Sequence, residues 1–129
     1  GLLGVSGVSS DSRDVEAGAN EGNERCLLAE RMYAQKIANF IAMYNNLLDG
    51  ADAIVFTAGV GENSINMRKM IIERIHSLGV MVNDELNKVR GEFRKISTDE
   101  SKIALYVVPT NEELMIAMDT YNIIVGGNY

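Results

Sequence analysis

Three short polar stations in the chain carry residue types that could do chemistry, and each also has a purely structural explanation. Asp11-Ser12-Arg13 sets a carboxylate and a guanidinium two residues apart. In an extended segment such positions share a face, so the pair could together hold a polar ligand; as a turn, the same Asp and Ser would cap a short helix through Val15 to Asn20. The second station, Thr57-Ala58-Gly59-Val60-Gly61, follows an apolar run and leads into Glu62, Asn63 and Ser64. Its small residues and two glycines permit positive φ and close approach to the backbone. At the carboxyl end of a strand, where open α/β sheets bind ligands, its free N–H groups would favour an anionic or hydrogen-bonding partner. Plain strand-to-helix packing explains the same pattern. The third station is Glu112, in the first turn of an expected helix without a capping partner, where either the helix dipole or a bound cation accounts for a carboxylate. Its neighbour Glu113 has capping-box spacing from Thr110 and reads as structural.

Composition narrows what these stations can serve. The 129 residues suit one domain, and 47% hydrophobic with 23% charged residues is ordinary for a globular protein. A net charge of −6 argues against a nucleic-acid surface or an anionic membrane as partner. The apolar runs are too short to span a bilayer, and the N-terminus lacks the basic region of a signal peptide. Cys26, the single cysteine, cannot make an internal disulfide and reads as a buried, inert thiol in a cytoplasmic protein. His76 is the single histidine, which excludes a histidine-based triad or a multi-histidine metal site within the chain, and it reads as a surface or packing residue.

The elements that must position the stations follow from hydrophobic periodicity. The opening GLLGVSGVSS is small and glycine-rich, as at a mobile end or in a segment of a longer protein. From Glu24 to Leu48, an apolar stripe through Leu27, Leu28, Met32, Tyr33, Ile37, Phe40, Ile41, Tyr44, Leu47 and Leu48 predicts a helix of roughly 37 Å whose stripe packs in the core and extends into a subunit contact. Ile54-Val55-Phe56 predicts a strand covered on both faces. A helix then runs from Asn63 and Ser64 to the stop at Gly79, followed by a short strand at Val80–Val82 and a helical turn at Asp84–Val89. The charged stretch from Arg90 to Lys102 reads as a solvated excursion with an edge strand at Ile96-Ser97-Thr98. Ile103 to Val108 predicts a second apolar strand ended by Pro109, and Leu114, Met115, Ile116, Met118, Tyr121 and Ile124 predict a covering helix. The sum is an α/β fold whose parallel strands carry the second and third stations at one end of a sheet.

The three stations, extended to Asp-Ser-Arg at 11–13, Phe-Thr-Ala-Gly-Val-Gly-Glu-Asn-Ser at 56–64 and Pro-Thr-Asn-Glu-Glu at 109–113, occur in this order with these separations. Together they closely resemble the C-terminal part of the acetate kinase (acetokinase) family. The resemblance runs from Gly1-Leu2-Leu3-Gly4 and Ser6-Gly7 through Glu21-Gly22-Asn23 to Leu114 and weakens in the last few residues. Butyrate and propionate kinases are related, and a propionate kinase is the nearest alternative.

The resemblance implies part of a ribonuclease-H-like domain of the acetate and sugar kinase, Hsp70 and actin superfamily. It implies reversible phosphoryl transfer between ATP and acetate, giving ADP and acetyl phosphate, with Mg2+. Asp11, Ser12 and Arg13 would then lie along the nucleotide, Gly59, Val60, Gly61, Glu62 and Asn63 would hold its adenosine end, and Glu112 would help to hold magnesium. Thus the glycine turn would embrace adenosine more than phosphate. Ser12 occupies a variable position of the family motif, and Val60 stands where isoleucine is frequent, a loss of at most about 1 kcal/mol of apolar contact. The family's catalytic and acetate-binding groups precede the matched segment, so residues 1–129 are expected to be a C-terminal nucleotide-binding part without the N-terminal domain and early strands, with no catalytic residue of its own and no turnover alone. The resemblance also implies a homodimer through this half. A non-catalytic scaffold or subunit-contact fragment is the competing class, carried by the long apolar stripe.

Overall fold

A computed structural model describes residues 1–126, and the chain folds as an α/β unit in which helices lie on a small sheet. The opening residues form a helix, α1 (Leu2–Ser6), closed by Gly7 at φ 71°. Asp11 then caps α2 (Ser12–Asn20), and Asn23 caps the long helix α3 (Glu24–Leu47) by accepting the N–H groups of Arg25 and Cys26. The capping reading of Asp11 is thus met, while the extended reading of that segment is not.

Three strands make the sheet, β1 (Ala53–Phe56), β2 (Arg94–Lys95) and β3 (Ala104–Val107), in the order β1-β3-β2. β1 and β3 are parallel, with Phe56 opposite Val107, so the chain leaves both strands side by side at one end of the sheet. β2 runs antiparallel to β3, pairing Arg94 with Val107. The sheet is therefore mixed. Its edge strand sits two residues before the expected Ile96-Ser97-Thr98, which instead pairs with the 80–82 stretch through a single bridge between Val82 and Ser97.

After β1 the chain does not make an open glycine turn. It winds into a short helix, α4 (Ala58–Asn63), and restarts directly as α5 (Ile65–Arg74), capped by the Ser64 hydroxyl on the Met67 N–H. A 3-10 turn, His76–Leu78, carries α5 to Gly79, the expected stop. The last helix, α6, spans Glu112–Gly126.

The core forms where α3 and α5 cover one face of the sheet, around Ala34, Ala38, Phe56, Met67, Ile71, Ile72, Ile75, Leu105 and Val107. A smaller cluster of Val15, Cys26 and Ala29 joins α1, α2 and α3, and Cys26 is the buried thiol expected of it. Three expectations about burial are corrected. On α3 the buried face is made by Ala29, Ala34 and Ala38, whose small side chains let the helix approach closely, with Tyr33, Ile37 and Ile41 at its border; Leu28, Met32, Phe40, Tyr44, Leu47 and Leu48 face outward. On β1, Val55 is exposed, so the strand is covered on one face, and every residue of α6 from Glu112 to Val125 is exposed rather than covering the sheet.

The largest fully buried side chain is charged. Arg68, one turn inside α5, donates from Nη1 to the carbonyls of Gly61 (2.8 Å) and Glu62 (3.0 Å). From Nη2 it reaches the carbonyls of Asn87 (2.6 Å) and Val89 (2.8 Å), and Nε donates to Asn87 Oδ1 (2.8 Å). Burial, with the charge of Arg90 a lesser cause, pushes this guanidinium down to about 10, and it stays charged at neutral pH. Removing it would orphan the buried acceptors of two segments at once. Arg68→Met is therefore expected to cost roughly 3–5 kcal/mol in urea unfolding, and Arg68→Lys, with three donors, less; a loss below about 1 kcal/mol for Arg68→Met would contradict this account.

Candidate functional site

The parallel pairing of β1 and β3 brings two of the stations together, and α2 delivers the third. α4 stands between two clefts. On one side, a cleft of about 380 Å³ is lined by Ser12, Arg13 and Glu16 of α2, Gly59, Val60 and Asn63 of α4, Ser64 and Arg90. On the other, a cleft of about 400 Å³ lies between Ala58, Gly59 and Glu62 and the Thr110-Asn111-Glu112-Glu113 start of α6. Gly59 borders both.

The first station is self-paired. Asp11 Oδ1 accepts the Arg13 backbone N–H at 2.9 Å, and the Arg13 guanidinium folds back on the same carboxylate, with Nη2 to Oδ2 at 2.6 Å and Nε to Oδ1 at 3.0 Å. This hydrogen bonding holds the Asp11 carboxyl at about 2, and the pair is exposed. Ser12 and Arg13 thus line the first cleft while Asp11 orients Arg13 from behind.

The glycines of α4 do different work from what their sequence suggests. Neither takes a positive φ; Ala58 does, at 58°. Gly61 is needed for close approach, since a Cβ there would lie 3.1 Å from the Phe56 carbonyl carbon. A Cβ on Gly59 would meet nothing within 4 Å, so that position leaves open space at the border of the two clefts. Asn63 turns its Nδ2 back to the Gly59 carbonyl at 2.9 Å, and its own carbonyl accepts Arg90 Nη1 at 2.6 Å.

Glu62 points away from the first cleft. Its buried carboxylate oxygen Oε1 accepts both the backbone N–H (2.8 Å) and the hydroxyl (2.9 Å) of Thr110, linking the segment after β1 to the segment after β3. The Thr110 N–H, the largest cause, holds this carboxyl below its usual range against the opposing effect of burial. Thr110 is consequently not the expected capping partner of Glu113. Asn111 caps α6 instead, its Oδ1 accepting the Leu114 N–H at 3.0 Å.

Glu112 opens α6 on the wall of the second cleft with its side chain exposed. Among the described residues no three Asp, Glu, His or Cys side chains cluster as a metal site, so a cation held by Glu112 would take its remaining ligands from water and from anionic groups of a bound molecule. That donor set suits magnesium, which commonly keeps waters and one or two carboxylates alongside substrate phosphates.

Three lining residues escaped the sequence reading. Arg90 lay in a stretch read as solvated, Glu16 in the short helix read only as capped, and Thr110 in a capping box. Only Gly91, a turn residue next to Arg90, hinted that the chain folds back there, and nothing local tied Arg90 to Asn63.

With the geometry in hand, solved structures define the class. The chain superposes on Porphyromonas gingivalis acetate kinase with a TM-score of 0.85 at 43% identity, covering 96% of this chain and 31% of that one. It superposes on a propionate kinase from Francisella tularensis subsp. tularensis SCHU S4 with a TM-score of 0.83 at 39% identity, covering 92% and 30%. The fold is therefore a portion of the acetate-kinase architecture, an α/β kinase fold of the acetate and sugar kinase, Hsp70 and actin type. The model of the Acetokinase family matches residues 1–118, and acetate kinase of Clostridium novyi (strain NT) is 50% identical over 128 residues, 99% of this chain and 32% of that protein. The chain belongs to the acetokinase family. It spans about a third of the length of the curated relatives it matches.

The Glu62–Thr110 bond carries a pH signature. A carboxyl whose folded pKa is depressed contributes stability that is full above its unfolded value, near 4.5, and is lost as pH falls through the folded value. Glu30, raised by burial and by the neighbouring Glu16, works in the opposite sense and is relieved on protonation. The stability difference between the native chain and Glu62→Gln should isolate the first effect, shrinking in urea unfolding as the pH falls below about 4.5. A pH-independent difference would contradict it.

Proposed function

We propose that this chain forms the adenosine-side wall of the nucleotide site in an acetate kinase that transfers a phosphoryl group reversibly between ATP and acetate, giving ADP and acetyl phosphate. The carrying observation is the convergence of Ser12, Arg13 and Glu112 on opposite sides of α4. Family membership supplies the reaction class.

In this reading the first cleft takes the nucleoside. Gly59 leaves its border open, Val60 offers an apolar contact, and Gly61 and Glu62 serve through their backbone because Arg68 grips their carbonyls. Asn63 and the Asp11-oriented Arg13 present polar groups along the nucleotide. Glu112 contributes one oxygen to Mg2+, which, when bound with the phosphates, neutralises charge on the transferring group. The acetate-binding and phosphoryl-clamping groups are assigned to an N-terminal part of the protein, residues 1–129 being its C-terminal nucleotide-binding part. The acyl preference would be set in that other part, and the similarity to a propionate kinase is compatible with a propionate substrate. The outward face of α3, with Leu28, Met32, Phe40 and Leu47, supports a homodimer contact beside this activity.

Calorimetry with ADP on the natural protein carrying this sequence tests the nucleotide site. Asp11→Ala and Asn63→Ala should each weaken ADP about tenfold, as loss of a charged or oriented hydrogen bond does. Unchanged affinity in both would refute the assignment.

Turnover requires in-line positioning and charge stabilisation by several groups together. The 129 residues alone should give only background acetyl phosphate from ATP, Mg2+ and acetate. Activity of these residues that disappears in Glu112→Ala would overturn the division of labour.

A further inference from the structure

We infer that Glu62 is a positioning residue that couples the nucleotide-side helix α4 to the magnesium end of the site, by fixing the root of α6 through Thr110 and so placing Glu112. The inference rests on the nucleotide and magnesium reading given above, and its geometry is independent of that reading. Within the described residues, α6 from Glu112 to Val125 is exposed throughout, so its connection to the rest of the chain is at its root. Among the described residues, the hydrogen bonds that reach from the 109–126 segment to the rest of the chain are the two that Thr110 donates to Glu62. The backbone before them is pinned by the sheet, where the Val108 N–H donates to the Phe56 carbonyl. Asn111 then caps the helix, and Glu112 follows at once. A single residue, Asn111, therefore separates the anchored Thr110 from the carboxylate that would face the cation.

The other end of the connection is equally fixed. The Glu62 carbonyl is held by Arg68, and the Gly91 N–H donates to the same carbonyl at 3.4 Å. Glu62 thus has a rigid backbone and a buried side chain aimed across the second cleft. A carboxylate is suited to this task because both of its partners are donors, and charge-assisted bonds are stronger and shorter than neutral ones. The arrangement predicts that occupancy beside α4 and cation binding at Glu112 are energetically linked through the Glu62–Thr110 bond.

The test measures ADP affinity by calorimetry in the natural protein, with EDTA and with saturating Mg2+, and takes the ratio as the magnesium enhancement. Glu62→Gln, which keeps the shape but loses the charge, should cut the enhancement about tenfold. Metal-free ADP affinity should change less than about threefold when the bond is broken from its other end, in Thr110→Val. Thr110→Val should act in the same direction from the other side of the bond without altering α4, and Thr110→Ser, which keeps both donors, should restore the native ratio. Equal losses with and without Mg2+ in Glu62→Gln and Thr110→Val would overturn the inference, because both would then be supporting the nucleotide loop alone. Glu112→Gln separates this failure from failure of the functional reading. If Glu112→Gln abolishes the enhancement while Glu62→Gln and Thr110→Val leave it intact, the coupling is wrong and the magnesium assignment stands. If Glu112→Gln itself leaves the enhancement intact, the magnesium assignment is wrong, and the inference falls with it.

Discussion

A buried guanidinium with no carboxylate partner among the described residues is the constraint on which the rest of this structure depends. Burying an unpaired charge is expensive, and Arg68 offsets the cost with hydrogen bonds to carbonyls of the 61–62 and 87–89 segments and to the Asn87 side chain. Both segments are irregular or terminal backbone, whose buried carbonyls need donors from outside their own helix or turn. Arginine suits the position because its planar fork presents five N–H groups in fixed directions, which a lysine cannot reproduce. Asn87 completes the arrangement by donating Nδ2 to the Ile65 carbonyl, so α5, the end of α4 and the 87–89 turn are locked as one piece. The site surface on α4 is thereby shaped from behind, by a residue that lies in neither cleft.

Much of the fold was legible because local signals agreed. The unbroken apolar runs at 54–56 and 103–108 became the parallel pair β1 and β3, and Ser64 and Gly79 marked helix ends where capping chemistry requires them. Where the reading failed, it failed on which face is buried. On α3 the large residues define the stripe visible in the sequence, but close approach of helix and sheet selects alanines, and size alone does not say which face meets the core. α6 likewise has the composition of a covering helix, and in this chain it covers nothing.

The candidate site was legible in its stations and not in their connections. Spacing showed that Asp11 and Arg13 belong together, yet an extended backbone and a helix start make opposite uses of that spacing. The helix start makes the guanidinium turn onto its own neighbour. Thr110 and Glu113 have capping-box spacing, but a buried carboxylate 48 residues earlier competes more strongly for the Thr110 donors. Tertiary partners of this kind leave no periodic trace. Family resemblance singled out the stations where propensity was ambiguous, and residues of all three line the clefts on either side of α4.

The central claim is that α4 is a preformed surface, held by Arg68 and Glu62 before any ligand arrives, and that the nucleoside seats on it. Crystal structures of the natural protein, free and with ADP and Mg2+, test this most directly. The account predicts that the adenosine contacts Gly59, Val60 and Asn63 beside Arg13, that the metal lies toward Glu112, and that backbone atoms 57–63 agree between the two structures within about 1 Å. A nucleotide seated elsewhere, or an α4 that unwinds and releases Arg68 on binding, would contradict it.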